Sequence, residues 1–406
     1  MASILPFAAI RPRPDVAADI VSPPYDVVSD QEMRALVARH PKSFMRVIRP
    51  EVNFPPGAEV EPEELRQQAR ANLLGLQSEG LLLRDDQPTL YLYRQTMGQH
   101  RQIGVVAAAS IDEYDNGLIK RHEHTRSQAL QDRVEHIEAT RANTGLVFLT
   151  YRADAEIDRE LARHQATEPL YNFVDDNGVG HTVWRLSVDD ASALQSLFAK
   201  LPQLYIADGH HRSAAGSEVR RRALAAGREL PAHRRFLAAL FADHQLNIMA
   251  YNRVVTDLGQ HSAQALLAAI RLRFPVSEVS NGQPQAGELC RMWLAGKWYG
   301  LGQVETPQAA SLAARLPAAV LQSELIGPLL GIEDVRADPR ISFVGGIRGL
   351  PELTEAAGAQ GVAFSMPPVE IEQMLEIADA GEVMPPKSTW FEPKLLSGLF
   401  VRSLES

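Results

Sequence analysis

Residues 204–215, LYIADGHHRSAA, restrict the fold more than any other stretch of the chain. A short apolar run stops at Asp208-Gly209, and His210, His211 and Arg212 lead into an alanine-rich segment. This pattern predicts a strand, a tight turn and a helix whose first turn carries the polar cluster. A helix start combines N–H groups outside the helical ladder with the positive pole of the dipole. That combination suits an anion, above all a phosphate. Gly209 allows the backbone close to a ligand, and Arg212 can hold two phosphate oxygens at once. Asp208 is an acceptor only, so its expected work is to bind magnesium or to take a proton from an attacking hydroxyl.

A chain of 406 residues exceeds one ordinary core, and its pattern resets close to residue 255. The expected division is 1–255, a catalytic region, and 256–406, a second α/β domain that supplies a loop to the site. A formal net charge of −9 argues against a general nucleic-acid binder but leaves room for a small anionic ligand held by a local basic cluster. Cys290 is the lone cysteine, which excludes disulfide frameworks and cysteine-rich zinc sites. The first ten residues have no basic leader, and no stretch reaches the ~20 apolar residues of a membrane span. A cytoplasmic protein without nucleic-acid or membrane partners is expected.

Strand and helix signals interleave along the chain, giving an α+β or mixed α/β fold class. Helices are expected over 29–40, 63–79, 128–143, 156–166, 189–200, 262–274, 288–294 and 369–380, with mostly helical chain over 309–330. Strands are expected over 44–48, 90–94, 101–111, 145–151, 181–186, 236–241, 246–255, 297–302, 340–346 and 362–366. Cys290 falls in one of the expected helices.

Three further clusters carry chemistry. His122, Glu123, His124 and Thr125 lie on an extended segment where alternation sends the two histidines to one face. Metal binding, phosphate contact and plain solvation all fit, and the spacing lacks the His-x-x-x-His of a helical zinc site. Lys387, Ser388 and Thr389 follow two prolines, a stiff loop suited to carboxylates or phosphates. Asp26, after Ser22-Pro23-Pro24-Tyr25, fits a metal ligand, a base, a substrate contact or a turn former. Gly345-Gly346 would let a ligand approach a strand end.

These elements resemble known families. Residues 207–215 are similar to the nucleotide-phosphate motif of the ParB/sulfiredoxin superfamily, whose free serine kinases carry a comparable Asp-Gly-His-x-Arg element. The segments 23–27, 121–125, 208–212 and 384–389 together resemble the domain-of-unknown-function 1015 family. By position, Gly209, His211 and Arg212 match the Gly, His and Arg of the sulfiredoxin motif. His210 stands where sulfiredoxin has its reactive cysteine, which removes sulfinic-acid reduction. The resemblance implies a ParB/sulfiredoxin-like nucleotide-binding core and a kinase using Mg2+ with ATP or ADP, or else pyrophosphate, to phosphorylate a small hydroxyl substrate such as free L-serine. Gly209, His210, His211 and Arg212, with His122, His124 and Thr125, would bind phosphates. Asp208, Glu123 and His210 would act in catalysis, Asp208 and Glu123 also on the metal. Lys387, Ser388, Thr389 and Asp26 would hold the substrate. A metal-dependent phosphohydrolase and a nucleotide-sensing module without turnover are the alternatives.

Overall fold

Alternation and burial decide where the strands form. The computed structural model describes residues 2–125, 127–304 and 310–405, and they fall into two compact units. The first comprises 1–121, 125–246 and 393–406, and the second comprises 122–124 and 247–392.

The first unit is built on a nine-stranded mixed sheet. Its strands are β1 (Ile4–Leu5), β2 (Tyr91–Met97), β3 (His100–Ser110), β4 (Ile119–Lys120), β5 (Val147–Tyr151), β6 (Tyr171–Val174), β7 (Gly180–Arg185), β8 (Leu204–Asp208) and β9 (Arg235–Ala242). The order is β4-β8-β5-β9-β3-β2-β7-β6, with β1 added beside β3. β8 runs parallel to β4 and β9 parallel to β5, while the other pairings are antiparallel. The hairpin β2–β3 forms where Met97-Gly98-Gln99-His100 predicts a turn, with Gly98 at φ +58°.

The longer helices of this unit are α1 (Asp30–Arg39), α2 (Pro62–Ser78), α3 (Ser127–Thr140), α4 (Ala155–His164), α5 (Val188–Phe198) and α6 (His210–Ala225). Ser29 and Glu32 form a reciprocal capping box on α1, and Pro62 opens α2. Leu204 and Ile206 of β8 join a core with Val147, Leu149, Ile157, Leu161, Leu194 and Phe198, which includes apolar residues of α4 and α5. Val134 and Ile137 of α3 pack with Ala215 and Val219 of α6.

The second unit holds a six-stranded antiparallel sheet of β10 (Tyr251–Val255), β11 (Val276–Val279), β12 (Glu288–Leu294), β13 (Lys297–Gly302), β14 (Ile341–Gly345) and β15 (Val362–Ser365). The order is β11-β13-β12-β15-β10-β14. With it go α7 (Ala263–Arg271), α8 (Gly349–Ala357) and α9 (Ile371–Asp379). The fold class is thus mixed α/β, a large mixed sheet with a separate antiparallel one.

Three expectations are corrected. Residues 288–294 form β12 instead of a helix, paired on both sides, so Cys290 lies in a strand with its thiol buried. Residues 44–48 are helical over Met45–Ile48 instead of extended, with Phe44, Met45 and Val47 fully buried. The helix expected over 128–143 ends at Thr140, and Ala142–Asn143 pairs with Arg402–Ser403. The segment 309–330 is mostly helical as expected, over Ala313–Arg315 and then without a break through Pro317–Leu321, Gln322–Ile326 and Gly327–Leu330, while Ala309 lies outside the described residues. Among the described residues, no helix is long and apolar enough to cross a membrane.

Candidate functional site

The strand, turn and helix around Asp208 form as the sequence predicts. Leu204, Tyr205 and Ile206 are fully buried, and β8 ends as Asp208 comes to the half-buried edge. Gly209 turns the chain into α6 at φ +96°, in the left-handed region that side chains avoid. A Cβ there would lie 3.3 Å from the Val147 Cα, so the turn is tight as well as left-handed.

Asp208 is held from two directions. Its Oδ1 accepts the Gly209 N–H at 2.7 Å, and its Oδ2 accepts the Lys394 ammonium at 2.9 Å. Burial works against its charge. The positive charges of Lys394 and Arg212, the Lys394 hydrogen bond and the nearby His210 outweigh that and hold the carboxyl well below the usual range. Lys394 is anchored in turn: its carbonyl accepts from the Gln95 amide at 2.8 Å, and Gln95 accepts from Gln102 at 2.9 Å. Both glutamines are fully buried.

Arg212 lies in the first turn of α6. Its Nη1 donates to the Leu146 carbonyl at 2.9 Å, and its Nη2 sits 3.7 Å from Asp26. Gly145 leaves the space it occupies, since a Cβ there would come within 3.3 Å of the Arg212 Nε. The guanidinium lies 5.6 Å from the Tyr25 ring centroid, and that of Arg133 lies at 4.0 Å. Burial, aided by Asp26 and opposed by Arg133 and Arg212, raises the Tyr25 phenol above its ordinary value. A cleft of about 30 Å³ is lined by Tyr25, Arg133, His136, Thr144, Gly145 and Arg212 among others.

The predicted residues divide between the units. Asp26, Thr125, Asp208, Gly209, His210, His211 and Arg212 belong to the first unit, and His122, Glu123, His124, Lys387, Ser388 and Thr389 to the second. His210 is buried, with its carbonyl accepting from Ser213, whereas His211 is half-buried. In the second unit, the His122 carbonyl accepts from the Met384 N–H at 2.8 Å. Lys387 takes a left-handed φ of +61° with its ammonium 5.4 Å from the Tyr251 ring centroid. Ser388 is buried and donates to the Pro385 carbonyl at 2.7 Å. The Gly345-Gly346 pair makes room for protein instead of a ligand. A Cβ on Gly345 would fall 2.6 Å from the Trp390 indole, and the Gly346 N–H donates to the Ala250 carbonyl.

Sequence reasoning gave no role to Lys394, Arg133 or His136. Lys394 lies 186 positions from Asp208, and no local pattern links them. The segment 384–394, already conspicuous for its prolines and aromatics, is the nearest thing to a signal. Among the described residues, the carboxylate and imidazole group close enough to share a metal is Glu160, His164 and Asp190, on α4 and α5. Arg163 already reaches Glu160 and Asp190 there, both at 2.5 Å.

No curated protein matches the sequence. Several solved structures resemble the chain at low identity. SbnI with a C-terminal truncation, from Staphylococcus aureus, has a TM-score of 0.42 at 12% identity, covering 74% of this chain and 87% of its own. A free serine kinase in complex with AMP has a TM-score of 0.36 at 13% identity, covering 74% and 92%. A conserved hypothetical protein from Pyrococcus furiosus has a TM-score of 0.35 at 15% identity, covering 74% and 95%. Likeness at these scores says nothing of activity. The family model that describes a protein of unknown function, DUF1015, matches residues 4–323, and the chain belongs to that family.

Proposed function

We propose that this protein is a small-molecule kinase, with a ParB/sulfiredoxin-like nucleotide site at the start of α6 and a small hydroxyl compound such as free L-serine as acceptor. The observation that carries the reading is the grouping of Asp208, Lys394 and Arg212 around one helix start. Phosphoryl transfer asks a protein mainly for positioning and for fixed positive charge where negative charge collects. The dipole of α6, the Gly209 backbone and the Arg212 guanidinium supply those for a polyphosphate. The similarity of residues 207–215 to the phosphate motif of free serine kinases supports the same assignment.

The geometry refines the roles. A carboxylate as strongly stabilised as Asp208 is a poor proton acceptor near neutrality, because base strength follows pKa. Asp208 therefore serves to hold the Lys394 ammonium beside the phosphates. The acceptor's proton falls to His210, two residues from Asp208 in the first turn of α6. Each oxygen of Asp208 accepts one hydrogen bond, and the Lys394 ammonium already partners its charge, so we assign the magnesium ion to the nucleotide.

The test is incubation of the purified full chain with ATP, ADP or pyrophosphate and a panel of hydroxy amino acids, read by mass spectrometry. A phosphorylated product from one donor and acceptor pair is the expected result, and none from any pair removes the kinase reading. The variant R212A should weaken nucleotide binding by roughly 2–3 kcal/mol, the worth of its charge-assisted bonds. Unchanged affinity in a calorimetric titration would move the phosphates elsewhere.

A further inference from the structure

Tyr25 has two guanidiniums against its ring, and their charges are met differently. Arg212 has Asp26 at 3.7 Å and the Leu146 carbonyl at 2.9 Å. Arg133 of α3 is half-buried against the aromatic ring at 4.0 Å, and among the described residues it forms no ion pair. A half-buried guanidinium without a counter-ion is a ready partner for an anion.

The cleft beside it is open to solvent, and its ~30 Å³ admits roughly two waters, enough for a carboxylate group. His136 and Thr144 line it with polar atoms, joined by a 3.0 Å hydrogen bond, and Ile137, Val147 and Phe236 add apolar surface. His136 is 6% exposed, and burial together with the Arg133 charge lowers its imidazole to about 3. It therefore stays neutral and adds hydrogen bonding without adding charge. Asp26 is exposed, and it is the carboxylate that ion-pairs with Arg212.

The geometry points to a head-group subsite for an α-amino acid, with the carboxylate on Arg133 and the ammonium toward Asp26. The assignment rests on the kinase reading, because it names the head group of that enzyme's acceptor. Arg133 supplies the planar fork that matches a carboxylate, and the apolar lining disfavours a heavily hydrated ion. A hydroxy acid lacking the ammonium would lose the attraction to Asp26, and an amide would lose the charge-assisted bond to Arg133.

The experiment is calorimetric titration of the full chain, without nucleotide, with L-serine, L-homoserine, L-threonine, their carboxamides, glycerate and inorganic phosphate. At least one hydroxy amino acid should bind at least 10-fold more tightly than its carboxamide and than glycerate. R133Q should abolish the preference over the carboxamide, R133K should restore part of it, and D26N should abolish the preference over glycerate. Far-UV circular dichroism and urea midpoints of the same variants serve as the control for folding. Equal binding of acid and amide overturns the subsite, as does a preference that survives R133Q, or phosphate binding as tight as the amino acid. Because the readout needs no turnover, a preference lost in R133Q stands even if no phosphorylated product is ever found.

Discussion

Asp208 sets the electrostatics of the site through one oxygen on Lys394 and the other on the turn that starts α6. If Lys394 delivers positive charge to the transferring phosphoryl group, K394M should lower kcat about 10²-fold, with KM for the nucleotide changing far less. Steady-state kinetics separate the two, and an equal loss in KM would make Lys394 a binding group instead. Gly209 is the other residue whose role is geometric. G209A must place a Cβ at φ +96° and 3.3 Å from the Val147 backbone. A left-handed alanine costs about 1–2 kcal/mol before the contact with Val147 is counted. Urea unfolding should show at least that loss, and nucleotide affinity should fall with it as the first turn of α6 is displaced. Wild-type stability in G209A would mean that the turn relaxes at no cost.

At the scale of elements, what the sequence made legible depended on whether local signals were unique. The run 204–208, bounded by Asp-Gly and an alanine-rich helix, has one sensible reading, and β8, Gly209 and α6 form accordingly. Residues 288–294 have two. Their apolar positions satisfy a helix, but β13 and β15 pair with them on both sides, and Leu289 to Met292 and Leu294 are buried in that sheet. The β-branched and aromatic residues over 44–48 suggest a strand. Here the helical turn is settled by burial and by the Asn72 amide, which donates to the Arg46 carbonyl at 2.7 Å. Arg133 and His136 carry no role in the sequence reading for a related reason: on α3 they look like ordinary polar helix residues, and only the fold sets the Arg133 guanidinium on the distant Tyr25 and His136 in the same cleft. Gly345 shows the opposite error, a glycine credited to a ligand when the Trp390 indole fills its place. G345A should therefore destabilise the second unit by about 1–3 kcal/mol, the usual cost of overpacking. A changed tryptophan emission and a lower urea midpoint would report it. An unaltered midpoint would show that the indole can move aside freely.

For the whole molecule, the buried ionisable groups divide the pH axis into two windows. Asp85 and Asp175 are held below the usual carboxylate range, against the cost of burial, by hydrogen bonds chiefly from Arg11 and His181 respectively. Asp208 is lowered as well. A depressed carboxyl contributes stability above its unfolded value, about 3.9 for Asp, and loses it as pH falls through the folded value. None of the three responds much between pH 7 and 5. His136 does, because burial lowers its imidazole from 6.5 to about 3. Between those values the unfolded chain binds a proton that the folded one refuses, so stability falls as the solution is acidified. One proton with these two pKa values gives a loss of about 2 kcal/mol between pH 7 and pH 5. H136Q keeps a side chain able to hydrogen-bond Thr144 and removes the titration. Its urea midpoint should therefore decline less than wild type over that interval, by the equivalent of those ~2 kcal/mol. Parallel declines in the two proteins would mean that water reaches the imidazole in the folded state, and the cleft at Arg133 would then be wetter than its lining indicates.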